Sequence, residues 1–237
     1  CEAGGGYGSL MRGLVQSWGN MIDRAVMVDL STYLLERQRR ALAPWSSKIS
    51  FINGDLLELV PALSGIDITI VNEVMGDLPT WIDLDPSNLP EEVAELVTRY
   101  DLDIPETGTF NFNMGAVQLV EELSRKKSAV FLSEHSSDPL IPPEMEYLGR
   151  DMDCDGFPRE IRLDGHSEYT IRFSHLVSVV RSLGRNVATG SLIEVVGIAG
   201  SPRNRAVFLG RMTGSDEQEI LYELLDHIRE YRWLIIY

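Results

Sequence analysis

The sequence predicts an α/β domain: a mostly parallel sheet covered by helices on both faces, with inserted segments at one end. Three observations carry that prediction. Short apolar runs alternate with helix-periodic segments through residues 1–75. A glycine-rich turn opens the chain, and acidic or amide residues stand directly after successive apolar runs.

The opening segment is Cys1-Glu2-Ala3-Gly4-Gly5-Gly6-Tyr7-Gly8. Glycine is needed where a backbone takes positive φ or lets a ligand lie against it. Ser9 to Trp18 then carries Leu10, Leu14 and Val15 on one side and reads as a helix. A glycine-rich turn opening a helix is a candidate nucleotide-cofactor loop, and a flexible terminus is the alternative from these residues alone. Because the chain begins without Met inside this loop, the first, central strand of the sheet is expected to be missing.

Arg24 to Val28 reads as a buried strand ending at Asp29, and Ser31 caps a helix running to about Leu42. Leu34, Leu35, Gln38 and Leu42 follow helical spacing there, and Pro44 stops it. Lys48 to Ile52 is the next strand, ending in Asn53-Gly54-Asp55, with a short helix through Leu56, Leu57, Leu59 and Val60. Ile66 to Val71 is a buried strand that runs into Asn72-Glu73. From Gly76 to Thr109 the pattern is broken by Pro79, Pro86, Pro90 and Pro105 around one acidic helix, Glu91 to Tyr100. Helix returns at Asn113 to Arg125 and strand at Ala129 to Leu132; Ser136 to Gly165 is again irregular. A helix at Ser174 to Leu183, strands at Leu192 to Ile198 and Ala206 to Leu209, and a terminal helix from Asp216 to Arg232 complete the prediction. Residues 1–75 and 110–237 are accordingly expected to form the main domain, and 76–109 and 136–165 to be cap segments on its substrate side.

The net charge of -15 argues against nucleic acid or an anionic membrane as the main partner. No apolar run approaches the roughly 18 residues that span a bilayer. The two cysteines form no spacing motif, which fits a reducing, cytoplasmic setting without excluding a single disulfide. The four histidines and Cys154 reach no metal-ligand spacing, so no metal is expected.

In open α/β sheets ligands bind beyond the carboxyl ends of the strands, where the strand order reverses. Asp29 is placed there to accept the hydroxyls of a ribose, with Leu30 beside it. Asp55 and the backbone at Leu56 are placed to read an adenine, and Asn72 lines the next strand end. The loop, through Glu2, Ala3, Gly4, Gly6 and Gly8, would hold the other end of the cofactor. A dinucleotide fingerprint wants Gly-x-Gly-x-x-Gly. Here the spacing is Glu2-x-Gly4-x-Gly6-x-Gly8. That pattern resembles the first motif of Rossmann-like class I S-adenosylmethionine-dependent methyltransferases, which implies S-adenosylmethionine as cofactor and a seven-stranded sheet. Arg37-Gln38-Arg39 and Asn72-Glu73-Val74-Met75-Gly76-Asp77-Leu78-Pro79 resemble the MidA-like family within that class, as does Gly165-His166-Ser167-Glu168-Tyr169-Thr170. That family is related to the mitochondrial methyltransferase of complex I assembly, and the resemblance implies a protein substrate methylated on arginine. The chain departs from the family at Gly76, at Glu134-His135-Ser136 and at Glu168.

Glu73, at the strand end nearest the expected methyl, is the candidate catalytic residue: it would orient or deprotonate the acceptor, and could pair a guanidinium bidentately. Glu134 and His135 follow the fifth strand and are candidates for the same cleft. Tyr100, Phe110 and Phe112 form either an aromatic wall or core. Two other functions stay open at this point: a nicotinamide-dependent oxidoreductase, and a non-catalytic descendant that binds a partner.

Overall fold

In the computed structural model, which describes residues 1–152, 154–198, 200–211 and 214–237, the sheet is centred on a strand of two residues. β1 (Glu2–Ala3) pairs in parallel with β2 (Ala25–Asp29) and with β4 (Ile68–Asn72), Glu2 lying opposite Met27 and Ile70. The expected absence of a first strand is corrected: Glu2 and Ala3 belong to the ladder. The reason is backbone pairing. The Ile70 N–H donates to the Cys1 carbonyl and the Gly4 N–H to the Val28 carbonyl, both at 2.8 Å. Held as a loop, the same residues would leave buried donors and acceptors on both neighbours unpaired.

With β3 (Ile49–Asn53), β7 (Ala129–His135), β10 (Val187–Ser191) and β11 (Tyr231–Ile236), the sheet has seven strands in the order β10-β11-β7-β4-β1-β2-β3. Only β11 runs against the others. The chain direction across the sheet switches between β1 and β4, which opens a crevice at their carboxyl ends.

α1 (Ser9–Trp18) covers one face with α2 (Thr32–Ala41), over Met11, Val15, Met27 and Leu42. Ser31 caps α2 as expected, its Oγ accepting from the Leu34 N–H at 3.3 Å. α3 (Leu56–Leu59) is short, and α5 (Met114–Arg125) is buried along most of its length beside α6 (Phe173–Ser182). Residues 76–109 contain β5 (Trp81–Leu84) and α4 (Glu91–Tyr100), and β5 pairs antiparallel with β6 (Phe110–Phe112). Val93, Leu96, Tyr100, Phe110 and Phe112 share one core with Val71 and Leu132, so the three aromatic residues are core. Within 136–165, Met145, Tyr147 and Leu148 pack with Ile193, Phe208 and Leu225 in a second core. β8 (Glu160–Arg162) and β9 (Ser167–Tyr169) form a hairpin. Asp153, in the expected segment 136–165, and Ala199, Met212 and Thr213, in the expected part 110–237, lie outside the described residues.

The carboxyl-terminal third differs from expectation. The strand expected at Leu192 to Ile198 is instead α7 (Leu192–Val195), nucleated by a capping box in which Ser191 Oγ accepts from Ile193 N–H and Glu194 Oε2 from Ser191 N–H. Ala206 to Leu209 lies inside α8 (Pro202–Gly210), where Ser201 caps and Pro202 takes the first turn. The terminal helix, α9 (Asp216–Ile228), stops short of Arg232, and Tyr231–Ile236 becomes the antiparallel strand. Pairing with both β7 and β10 satisfies its backbone on two sides, which a longer helix could not do.

Leu132 in β7 is fully buried, at 0% exposure. Leu132→Ala is expected to lower the unfolding free energy by about 3 kcal/mol in urea titration. Leu163→Ala, on the exposed hairpin, should change it by less than about 0.5 kcal/mol.

Candidate functional site

The opening loop is shaped from below. Gly4, Gly6 and Gly8 take φ of 61°, 50° and 79°, values that side chains strain to adopt. A Cβ at Gly4 would stand 2.3 Å from Val74 Cγ2, and one at Gly5 2.5 Å from Met27 Cε. At Gly6 nothing lies within 4 Å, so the loop is clamped on its inner side and open above its middle. Ala3 enters the main core at 1% exposure.

Glu2 points to the other side of the strand, beneath the loop, and is 3% exposed. Its carboxyl faces the Met11 N–H in the first turn of α1, its Oε2 is buried without a hydrogen-bond partner among the described residues, and burial pushes its pKa up to about 7. The cap of α1, Gly8, offers no side chain. A carboxylate from inside the protein therefore meets the helix end that otherwise attracts anions.

Asp29 closes β2 and is 6% exposed. Its Oδ1 accepts from the Ser31 N–H at 2.9 Å, and its Oδ2 from Gln38 Nε2 at 2.8 Å. Gln38 Nε2 also donates to the Gly6 carbonyl at 3.0 Å. Asn53 Nδ2 donates to the carbonyls of Asp29 and Leu30, both at 2.9 Å, joining the ends of β2 and β3. The Leu30 side chain is exposed and Leu56 is buried. Asp55 caps α3, its Oδ1 accepting from the Leu57 N–H at 2.8 Å.

Asn72 ends β4, and its Oδ1 accepts from Ser133 Oγ at 2.6 Å. Glu73 follows with φ of 53°, its side chain exposed and its N–H donating to the Ser133 carbonyl at 3.0 Å. A non-glycine residue in that region costs on the order of 1 kcal/mol and persists only where its surroundings enforce it. The next turn, Met75–Asp77, is held by Glu134, whose Oε2 accepts from Gly76 N–H at 3.3 Å. Glu134 Oε1 accepts from His135 N–H at 3.0 Å. Glu134 is 4% exposed, and burial, with the nearby Glu73 and Glu168 carboxylates, pushes its pKa up to about 7. His135 lies edge-on to Tyr231 at 4.0 Å, and burial, with His227 and Arg159 adding to it, lowers its pKa to about 4. Both residues belong to β7 itself, and Glu134 is packed away beneath the turn.

Two groupings escaped the sequence. Asp77, His166 and Glu168 bring three potential ligand atoms within 4.8 Å of one another. They come from segments almost ninety residues apart, joined because Gly76 admits β9: a Cβ there would stand 3.0 Å from the Tyr169 carbonyl. Gln38 is the other. The sequence carries it as a polar residue in the apolar stripe Leu35-Gln38-Leu42 and within Arg37-Gln38-Arg39, and neither pattern gives its contacts. A cavity of about 420 Å³ lies away from all of this, at the amino ends of β7 and β10, lined by Ser124, Lys126, Lys127, Arg185 and Tyr237 among others.

The buried carboxyls set a pH dependence. Glu2 and Glu134 have folded pKa values near 7 against 4.5 for the free group, so the folded state holds extra protons between those limits. Stability should therefore fall as pH rises from about 4.5 to about 7, by on the order of 3 kcal/mol for each fully shifted group. Glu134→Gln, melted across that range, should show a shallower decline than the unsubstituted chain.

No protein-family model and no curated protein sequence matches the chain. Solved structures do. An S-adenosylmethionine-dependent methyltransferase from Mesorhizobium loti aligns with 99% of this chain and 88% of its own, at 14% identity and a TM-score of 0.54. An O-methyltransferase family protein from Burkholderia thailandensis aligns with 99% of this chain and 49% of its own, at 12% identity and a TM-score of 0.50. At such identities the likeness concerns the fold. The sheet, with its strand order and its single reversed strand, is the Rossmann-like sheet of the class I methyltransferases.

Proposed function

We propose that this chain is an S-adenosylmethionine-dependent methyltransferase. One observation carries the proposal: at the switch point, a glycine cradle open above Gly6 sits over the buried Glu2 carboxyl, which faces the first turn of the following helix. A pyrophosphate needs free amides and a positive helix end. Here a buried carboxyl faces the first turn of that helix from within, which penalises a phosphate and favours a donor bearing an ammonium and a sulfonium. The same feature weighs against the nicotinamide-dependent alternative.

The residues present fit such a donor. Gly4, Gly6 and Gly8 give it backbone without side chains. Asp29 keeps lone pairs beyond the two it shares with Ser31 and Gln38, enough to accept from ribose hydroxyls. Asp55 and Leu56 flank the adenine position, with the exposed Leu30 and the Asn72 strand end completing the lining. When bound, S-adenosylmethionine supplies a methyl group already activated by its sulfonium. The chain's part is position and proton handling. The glycine loop and Asp29 would hold the donor as it gives that methyl to the acceptor's lone pair and is left as a neutral thioether. Glu73 orients the acceptor and takes its proton.

Segments 76–109 and 136–165 are the proposed substrate side of a main domain formed by 1–75 and 110–237. The motif at residues 72–79 supports kinship with the MidA-like family, and with it a protein side chain as acceptor. Arginine is the acceptor the kinship suggests, and the exposed Glu73 carboxylate is the group that would pair with it. A reducing, cytoplasmic setting fits this proposal. Among the described residues, no helix is long and apolar enough to cross a membrane.

Calorimetry with S-adenosylmethionine and with its demethylated product should each give one site per chain. Asp29→Ala should weaken both by at least about 10-fold, or 1.4 kcal/mol. NADH should leave the melting temperature unchanged. Absence of heat with both sulfur ligands would sink the proposal. Glu73→Ala should abolish methyl transfer to a protein acceptor while cofactor affinity stays within about 2-fold; intact transfer would remove Glu73 from its role.

A further inference from the structure

We infer that Gln38 is a positioning residue that fixes the Asp29 carboxylate and the glycine loop as one unit, so that both ends of the cofactor site are set by a single buried amide. The inference rests on the proposed cofactor site and adds a residue that acts through the others.

Gln38 is 0% exposed, on the face of α2 that also carries Leu35 and Leu42. Its Nε2 has two hydrogens, and both are spent: one on the Gly6 carbonyl at 3.0 Å, one on Asp29 Oδ2 at 2.8 Å. Both partners are acceptors. Only the nitrogen end of the amide can face them, so its orientation is decided by chemistry. The Oε1 end is buried with no hydrogen-bond partner among the described residues. An apolar residue would fill this position without burying an unsatisfied carbonyl. What the amide contributes here is its pair of donors.

Those donors act on the two parts that must agree in position. Ser31 N–H fixes one oxygen of Asp29 and Gln38 the other, which sets the plane of the carboxylate. The bond to the Gly6 carbonyl orients the peptide at the open middle of the loop, where no Cβ-sized neighbour stands within 4 Å. At Gly8, a Cβ would lie 3.5 Å from both Gln38 Cα and Cγ, so α2 lies directly along the loop. Displacing α2 therefore moves the acid and the loop together.

The test is a double-mutant cycle with Gln38→Met, which keeps the length of the side chain and removes both donors, and Asp29→Ala. Affinity for S-adenosylhomocysteine is measured by calorimetry, and backbone amide exchange of residues 6–8 is followed without ligand. Gln38→Met should weaken binding about 10-fold in the unsubstituted chain and about 3-fold in the Asp29→Ala background, where only the loop contact is left to lose. Exchange at residues 6–8 should quicken about 10-fold. Gln38→His, which keeps one donor, should fall between, and serves as the second variant if methionine lowers the melting temperature. Equal losses in both backgrounds would overturn the inference, and so would unchanged exchange in the loop. If the unsubstituted chain binds no sulfur ligand, the proposed function fails, and the exchange measurement still decides whether Gln38 holds the loop.

Discussion

The two halves of the sheet meet at Glu2–Ala3, and the rest of the molecule depends on that ladder. β2 and β3 lie to one side of these residues, and β4, β7, β11 and β10 to the other. Every hydrogen bond that unites the halves within the sheet runs through the backbone of Cys1 to Gly4. The alternation of side chains along so short a strand divides the chemistry as well. Ala3 enters the main core, and Glu2 turns toward α1. One residue later the chain takes positive φ and becomes the loop. The crevice at the switch point and the loop that fills its floor are thus consequences of one short ladder, and neither can move without the other.

Negative charge is concentrated where this ladder ends. Asp29, Asp55, Glu73 and Glu134 stand at or just beyond the carboxyl ends of parallel strands, Glu2 begins the short β1 beneath them, and the chain as a whole carries -15. Their partners differ, and so do their consequences. Asp29 and Asp55 are held by backbone amides and, for Asp29, the Gln38 amide, which suit them as fixed acceptors. Glu134 also accepts from two amides, yet burial and the adjacent carboxylates outweigh them and raise its pKa to about 7. Glu73 and Asp55 reach solvent, and of the two Asp55 is tied to its own helix start. The fold has sorted similar carboxyl groups into two held by amides at strand ends, a buried group that holds a turn, and an exposed group at the head of that turn.

Much of this was legible from residue patterns, and the limits have physical causes. Helical spacing and capping placed α1, α2, α4 and α5 to within a residue or so, because a periodic apolar face and a stop signal act locally. The strand ends at Asp29, Asn53 and Asn72 were visible for the same reason. β1 was not, since two residues carry no period, and membership of a sheet is decided by distant neighbours. Short apolar runs failed in the carboxyl-terminal third: Ala206 to Leu209 suits strand or helix, and only Ser201-Pro202 ahead of it settles the matter. At Leu192 to Ile198 the apolar run alone points to strand, and the Ser191-x-x-Glu194 box ahead of it is the local signal that favours helix. The expected terminal helix takes in Tyr231 and Arg232 and leaves the rest of β11 unassigned, because the pairing of that strand with β7 is a long-range fact. Within the site, the acids were found by their place after strands. Gln38 and the contact of His166 with Asp77 depend on packing, which no local pattern reports.

The turn after β4 joins the two sides of the proposed reaction. Val74 presses on Gly4 so closely that no side chain fits there, which ties the turn to the cofactor loop. Two residues on, Gly76 admits the carbonyl of Tyr169, which ties the same turn to the β8–β9 hairpin. Glu73 stands at the head of this turn in a conformation that its neighbours impose, its amide bound to the Ser133 carbonyl and Gly76 bound to Glu134. A shift of the hairpin would reach Gly4 through fewer than five residues of backbone, and a shift of the loop would reach the hairpin by the same path. Catalysis by positioning requires donor and acceptor to be held in one frame. In this chain the frame is the turn itself, with a glycine on each side of it recording how closely the parts approach.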